Sequence, residues 1–251
     1  VEVTTQDVRR ILGITITEDD MKVELERLGL RTESSPFDWL ISDCEGVFAA
    51  IENHFHNFLD YDSMSQSSRN RSHYKDLTYN MHFFHDFTPY LPLAKQIQDV
   101  KAKYQRRIDR FYKSITEPTL FIRYISDENK IGNISKELLL LEKNYDTVLK
   151  ILKSFNSEND ILFIANEGVT SSVFTIYNVA KDENDVVARK PIEKNSFLTH
   201  LFASIDTPEK QKNIDHYKKK VQKKKRNYLK RKISSFFKKL FLKEYIHNQQ
   251  Y

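Results

Sequence analysis

Cysteine occurs once in these 251 residues, as Cys44. An internal disulfide and a multi-thiolate zinc site are thereby excluded, and the reducing cytosol is the simplest compartment for the chain. Glycine is scarce as well, at 5 residues, and no apolar run approaches the roughly 18 residues that a bilayer-spanning helix needs, so no membrane crossing is expected. The N-terminus carries no apolar leader, and a start at Val1 rather than Met leaves room for a segment upstream of it. With 39% apolar residues, among them 17 Phe and 13 Tyr, a disordered chain is excluded and material for a core is ample.

Charge is divided unevenly. The net charge is only +5, yet residues 209–251 hold 15 Lys+Arg against 3 Asp+Glu, leaving 25 basic and 32 acidic side chains on residues 1–208. A mildly acidic body over 1–208 argues against nucleic acid or anionic lipid in its main cleft, whereas the tail over 209–251 suits either. In the tail, Leu229, Ile233, Phe236, Phe237, Leu240 and Phe241 fall on one helical stripe, with Lys230, Arg231, Lys238 and Lys239 on other faces. A basic helix with such a stripe suits an anionic membrane surface, here the inner face, better than nucleic acid. The stripe suits docking on the body as the alternative.

Periodicity gives helices and strands in alternation. Residues 45–60, 93–115 and 134–155 have helical spacing, the second ended by Pro118, and residues 60–80 read as a mobile loop. The apolar runs 119–125 and 160–166 read as buried strands that flank one helix, which predicts a right-handed βαβ unit with a parallel sheet. A further pair, 172–179 and 185–190, is expected to be antiparallel and at an edge. The expected class is α/β, a mixed and partly parallel sheet with flanking helices and a basic helical tail.

Three clusters carry unusual chemistry. Ser34-Ser35-Pro36-Phe37-Asp38-Trp39 holds the only Trp and offers an apolar wall, an acid and an indole donor, or else a loop in which Asp38 caps the next helix. In Met81-His82-Phe83-Phe84-His85-Asp86-Phe87, an imidazole beside a carboxylate suits general-base work, although neighbours along a strand point apart, so Asp86 is not expected to orient His85. Arg106, Arg107 and Arg110, with Arg123 on the following strand, form an array that suits a phosphate or carboxylate, or a solvated face with Asp109. Arg123, a charge inside an apolar strand, requires a partner such as Asp38 or Asp86, or a ligand. His54 and His56 stand two apart and face different ways on a helix, so no metal or other cofactor is expected.

The segments 28–40, Phe84-His85-Asp86-Phe87, 104–111, Leu120-Phe121-Ile122-Arg123 and 159–164 resemble, in order and spacing, a mostly bacterial family of unknown function described as papain-like cysteine peptidases. The resemblance spans roughly residues 25–205 and allows an α+β papain-like arrangement as the alternative fold. It implies a thiolate attacking a carbonyl, a histidine taking its proton and a polar residue holding the imidazole, with His85 as that histidine. The family's cysteine is expected after a first strand and a Gly, where this chain reads Gly13-Ile14-Thr15-Ile16-Thr17-Glu18-Asp19-Asp20-Met21 with no Cys. Residues 8–13 with 24–30 are instead similar to a short module of the phenylalanyl-tRNA synthetase β subunit. Cys44 is the remaining candidate, near a helix N-terminus that favours a thiolate, with Asp43 and Glu45 opposing.

Candidate catalytic residues are therefore His85, Cys44 and Asp38, and candidate binding residues are Trp39, Asp86, Arg106, Arg107, Arg110 and Arg123. Two functions fit: a cytoplasmic cysteine hydrolase acting on an amide or thioester, or a non-catalytic or glycan-related binding protein held at the inner membrane face by its tail.

Overall fold

The computed structural model describes residues 10–13, 19–31, 33–38, 40–125, 130–131, 134–180, 182, 188 and 190–247. A four-stranded parallel sheet forms the centre, in the order β1 (Arg10–Gly13), β6 (Thr119–Ile125), β9 (Asp160–Asn166) and β10 (Ile176–Val179). Side chains alternate across a strand, and the two central strands show it directly. Phe121, Ile125, Ile161, Phe163 and Ala165 face one core, while Leu120, Ile122, Tyr124, Leu162 and Ile164 face the other. Both faces are covered, which explains why these strands are mostly apolar, with Arg123 the charge inside β6.

On the first face lie α2 (Cys44–Glu52), α3 (Leu93–Ile115) and α4 (Lys136–Phe155). On the second lie α1 (Asp19–Arg27) and α5 (Ser196–Ser204), through Met21, Leu25, Leu198, Leu201 and Phe202. The class is thus α/β, with β6, α4 and β9 forming the expected parallel unit. Asn159, fully buried, ties this unit together. Its carboxamide accepts from Thr119 N at 2.9 Å and donates to Ile115 O at 2.9 Å and Leu152 O at 3.0 Å, satisfying carbonyls left over at two helix ends.

A second, antiparallel sheet, β2 (Leu40–Ile41), β5 (Met81–Phe83), β4 (Tyr74–Asp76) and β3 (Met64–Gln66), packs beside α2. Here the sequence reading is corrected twice. The helix expected over 45–60 stops at Glu52, because His54, Phe55, Asn57 and Leu59 adopt left-handed φ values between 51° and 59° and turn the chain back. Phe55, Phe58 and Leu59 still bury themselves in the same core. The presumed loop over 60–80 contains β3 and β4, anchored by the wholly buried Asp76, which accepts from Leu59 N at 2.7 Å and Tyr79 N at 3.0 Å. A short hairpin, β7 (Lys130–Ile131) with β8 (Ile134–Ser135), precedes α4, so that helix starts at Lys136 rather than 134.

The strand expected over 172–179 is shorter and runs parallel to β9, with Ile176 opposite Phe163; most of its expected partner over 185–190 lies outside the described residues. The tail forms one helix, α6 (Lys210–His247). Its start rests on the body at Gly29, where Asn213 Nδ2 donates to Gly29 O at 3.0 Å and φ is 73°. A Cβ at Gly29 would stand 2.4 Å from Lys210 O, so only glycine admits this approach. Beyond Lys220, which pairs with Glu26 at 2.8 Å, residues 222–235 are exposed throughout.

Candidate functional site

Polar side chains converge on three places. The first is the turn over residues 33–38. The backbone N–H of Ser35 donates to Asp38 Oδ2 at 3.0 Å, that of Phe37 donates to Ser35 Oγ at 3.0 Å, and Arg31 bonds the same Asp38 oxygen. Lys22 Nζ stands 4.0 Å from Asp38 Oδ1. Phe37 turns inward against Phe111, edge to face at 5.5 Å. Asp38 does not cap the following helix. That role belongs to Asp43, whose Oδ1 accepts from Gly46 N at 2.7 Å. Trp39 lies outside the described residues.

The second place is the side of α3 that faces this turn. Asp86 is bonded by Lys103 and accepts from the Tyr104 hydroxyl at 2.9 Å. Tyr104 is fully buried, and its hydroxyl is pushed well above its usual pKa, first by burial and then by Asp86, with Asp38 adding to it. Asp38 and Asp86 thus both act on one phenol. Arg107 lies over the Tyr104 ring at 5.1 Å, and Arg110 one turn on stands 3.3 Å from Glu33 with an Nη2 contact to Ser34 O at 3.5 Å. Residues 103, 104, 107 and 110 share one helical face. Arg106 is exposed, Arg110 reaches the turn and Arg107 is held over the Tyr104 ring.

The third place is Arg123, entirely enclosed on the first face of the sheet. Its partner is neither Asp38 nor Asp86 but Glu137, in the first turn of α4. Arg123 Nε donates to Glu137 Oε1 at 2.7 Å, and Nη2 reaches Ser42 O at 3.3 Å. Cys44 begins α2 beside this pair, 3% exposed, and its thiol is pushed up to about 12. Burial is the largest cause; Arg123 lowers the value, and Glu137, Asp43 and Glu45 raise it. The expectation that the helix terminus would favour a thiolate is corrected, because desolvation and three carboxylates outweigh it.

His85 is exposed and stands next to an Asp86 already engaged by Lys103 and Tyr104. The structure therefore joins Asp38, Asp86, Arg107 and Arg110 into one neighbourhood around Tyr104 and sets Cys44 with Arg123 in another. His82, across from Ile41 and Lys75, is half-buried, and its pKa is lowered chiefly by that burial and next by Lys75. A separate cavity of about 430 Å³, bounded by Tyr145, Asp160, Ser172, Phe174 and Asn178, holds none of the predicted residues. Sequence reasoning missed Lys22, Arg31, Lys103, Tyr104 and Glu137. Tyr104 reads as one more apolar member of the α3 stripe, and nothing local pairs Glu137 with a strand residue 14 positions earlier.

Residues 20–168 match a family described as "Putative papain-like cysteine peptidase (DUF1796)". The chain belongs to this family. The matched span holds all three polar neighbourhoods and ends after β9, leaving α5 and α6 outside it. The chain is also similar to "Uncharacterized protein R408" of Acanthamoeba polyphaga mimivirus, 28% identical over 164 residues that cover 57% of this chain and 72% of that protein. No solved structure matches.

Proposed function

We propose that this member of the papain-like family no longer carries out thiol hydrolysis and works by binding. The state of the one cysteine carries the reading. A nucleophilic thiol requires access and a depressed pKa, and Cys44 has the opposite of both. The polar groups around Tyr104 form the binding neighbourhood, with Asp38 and Asp86 holding Arg31 and Lys103 in place. The test is hydrolysis of fluorogenic amide and thioester substrates by the wild type and by Cys44→Ser. Equal background rates support the reading; a turnover that disappears in Cys44→Ser contradicts it.

The exposed course of α6 favours a second element of function. The body over 1–208 is attached to an anionic membrane surface by the tail over 209–251. Tyr228, Leu229 and Ile233 are more than half exposed among lysines and arginines, so their apolar surface is available to a lipid interface rather than used by the body. No helix among the described residues is long and apolar enough to cross a membrane. Co-sedimentation with phosphatidylserine-containing vesicles tests it. Neutralising Lys223, Lys224 and Lys225 to Gln should lower binding by about fivefold per residue. Equal binding by the variant, or binding of duplex nucleic acid in preference to vesicles, overturns it.

A further inference from the structure

Among the described polar atoms, two guanidinium nitrogens one turn apart on α3 stand out. Arg107 Nη1 and Arg110 Nε are closed off from solvent and have no hydrogen-bond acceptor. A buried donor without an acceptor is costly and needs an explanation, such as a ligand that supplies the acceptor. We propose that Arg107 and Arg110 form the binding site for the phosphate group of the protein's ligand, either free phosphate or a phosphomonoester. The proposal rests on reading the body as a binding domain and names the chemical class it binds.

The charges around the site favour an anion. Lys22, Arg31, Lys103, Arg107 and Arg110 face Glu26, Glu33, Asp38 and Asp86, and four of the five cations already have a carboxylate within reach. Arg107 is the fifth, held over the Tyr104 ring and presenting a planar fork whose Nη1 is unused. The buried Tyr104 fixes the position of Arg107, and Tyr104 is in turn fixed by Asp86, so the guanidinium is oriented before a ligand arrives. Glu33 stands beside Arg110. Its carboxylate stands 3.3 Å from Arg110 Nε without bonding it and is 60% exposed, so it behaves as a weak internal substitute that an incoming oxyanion displaces. Two guanidinium groups of one helix face match a tetrahedral dianion better than a single carboxylate, because three of its oxygens accept hydrogen bonds at once.

The test is thermal unfolding and calorimetric titration of the full chain with inorganic phosphate, glucose 1-phosphate and acetate at matched ionic strength. The wild type should be stabilised by phosphate or the ester, with the tighter of the two revealing the source of the group. Arg107→Met should lose at least tenfold in affinity, and Arg107→Lys, which keeps the charge but not the fork, should lose most of it. Glu33→Gln should bind several-fold more tightly, and Arg106→Gln should match the wild type. Equal phosphate responses in the wild type and both Arg107 variants, no response to either phosphate, or a preference for acetate overturns the proposal. None of these outcomes bears on the Cys44→Ser hydrolysis test, so failure here leaves that reading to stand or fall on its own.

Discussion

Arg123 and Arg107 both carry guanidinium nitrogens closed off from solvent, and the fold treats them differently. Arg123 is completely enclosed, with Glu137 and Ser42 O accepting from it. Arg107 is only partly enclosed, yet one of its closed nitrogens has no acceptor. A buried charge with partners on hand is scaffolding that fixes β6 against α4 and the start of α2, whereas one with a donor left over is prepared for something outside the chain. The comparison also separates the two ends of the family resemblance. The thiol lies beside the closed arginine, and the open one lies over the Tyr104 ring.

The largest effect that would sharpen this contrast comes from removing one partner of the closed pair. Glu137→Leu leaves a guanidinium buried without its carboxylate and should cost about 3–5 kcal/mol in urea unfolding. The double variant Arg123→Met/Glu137→Leu should recover most of that loss, and a single-variant cost below about 1 kcal/mol would mean that Arg123 is not the scaffold element described. Arg107→Met should behave in the opposite way. Without ligand, its unfolding free energy should stay within about 1 kcal/mol of the wild type, since no acceptor is orphaned by the change. A loss as large as that of Glu137→Leu would break the comparison.

A smaller effect concerns Glu24 on α1, which accepts from Ile192 N at 3.3 Å and Glu193 N at 2.8 Å. Burial raises its pKa from 4.5 to about 7, against the lowering action of those two bonds. The folded state therefore holds this proton more tightly than the unfolded chain, and the stability contributed by the protonated group is lost as pH rises from about 4.5 to about 7. Thermal midpoints of the wild type measured across that window should fall relative to Glu24→Gln as pH increases. Parallel curves for the two proteins would show that Glu24 titrates normally.

Much of the scaffold was legible because its signals are long. The 23-residue α3 carries an apolar stripe from Ile97 to Ile115, and β6 and β9 are mostly apolar runs flanking one helix, so their type, order and parallel pairing follow from periodicity. Apart from β5, which begins the strand read over 81–87, the second sheet was not legible because its strands are two or three residues long, shorter than any repeat that alternation can reveal. The end of α2 was hidden for a different reason. His54 and Phe55 take left-handed backbone angles without being glycine, so no residue type marks the turn. At the candidate site, the need of Arg123 for a partner followed from its place in an apolar strand, but the identity of Glu137 did not, because the hairpin between them sets the approach. Cys44 shows the limit of reasoning from helix position alone, since the sequence places a thiol at a helix start and only packing decides that the start is buried.

The most direct test of the claim that thiol chemistry is not the work of this domain is the rate of Cys44 alkylation by a small neutral reagent as a function of pH. The account predicts a slow rate that is still rising at the alkaline limit of the folded protein, as befits a thiol held near 12. A fast rate that levels off below about pH 8 would reveal a thiolate poised for catalysis and would contradict it.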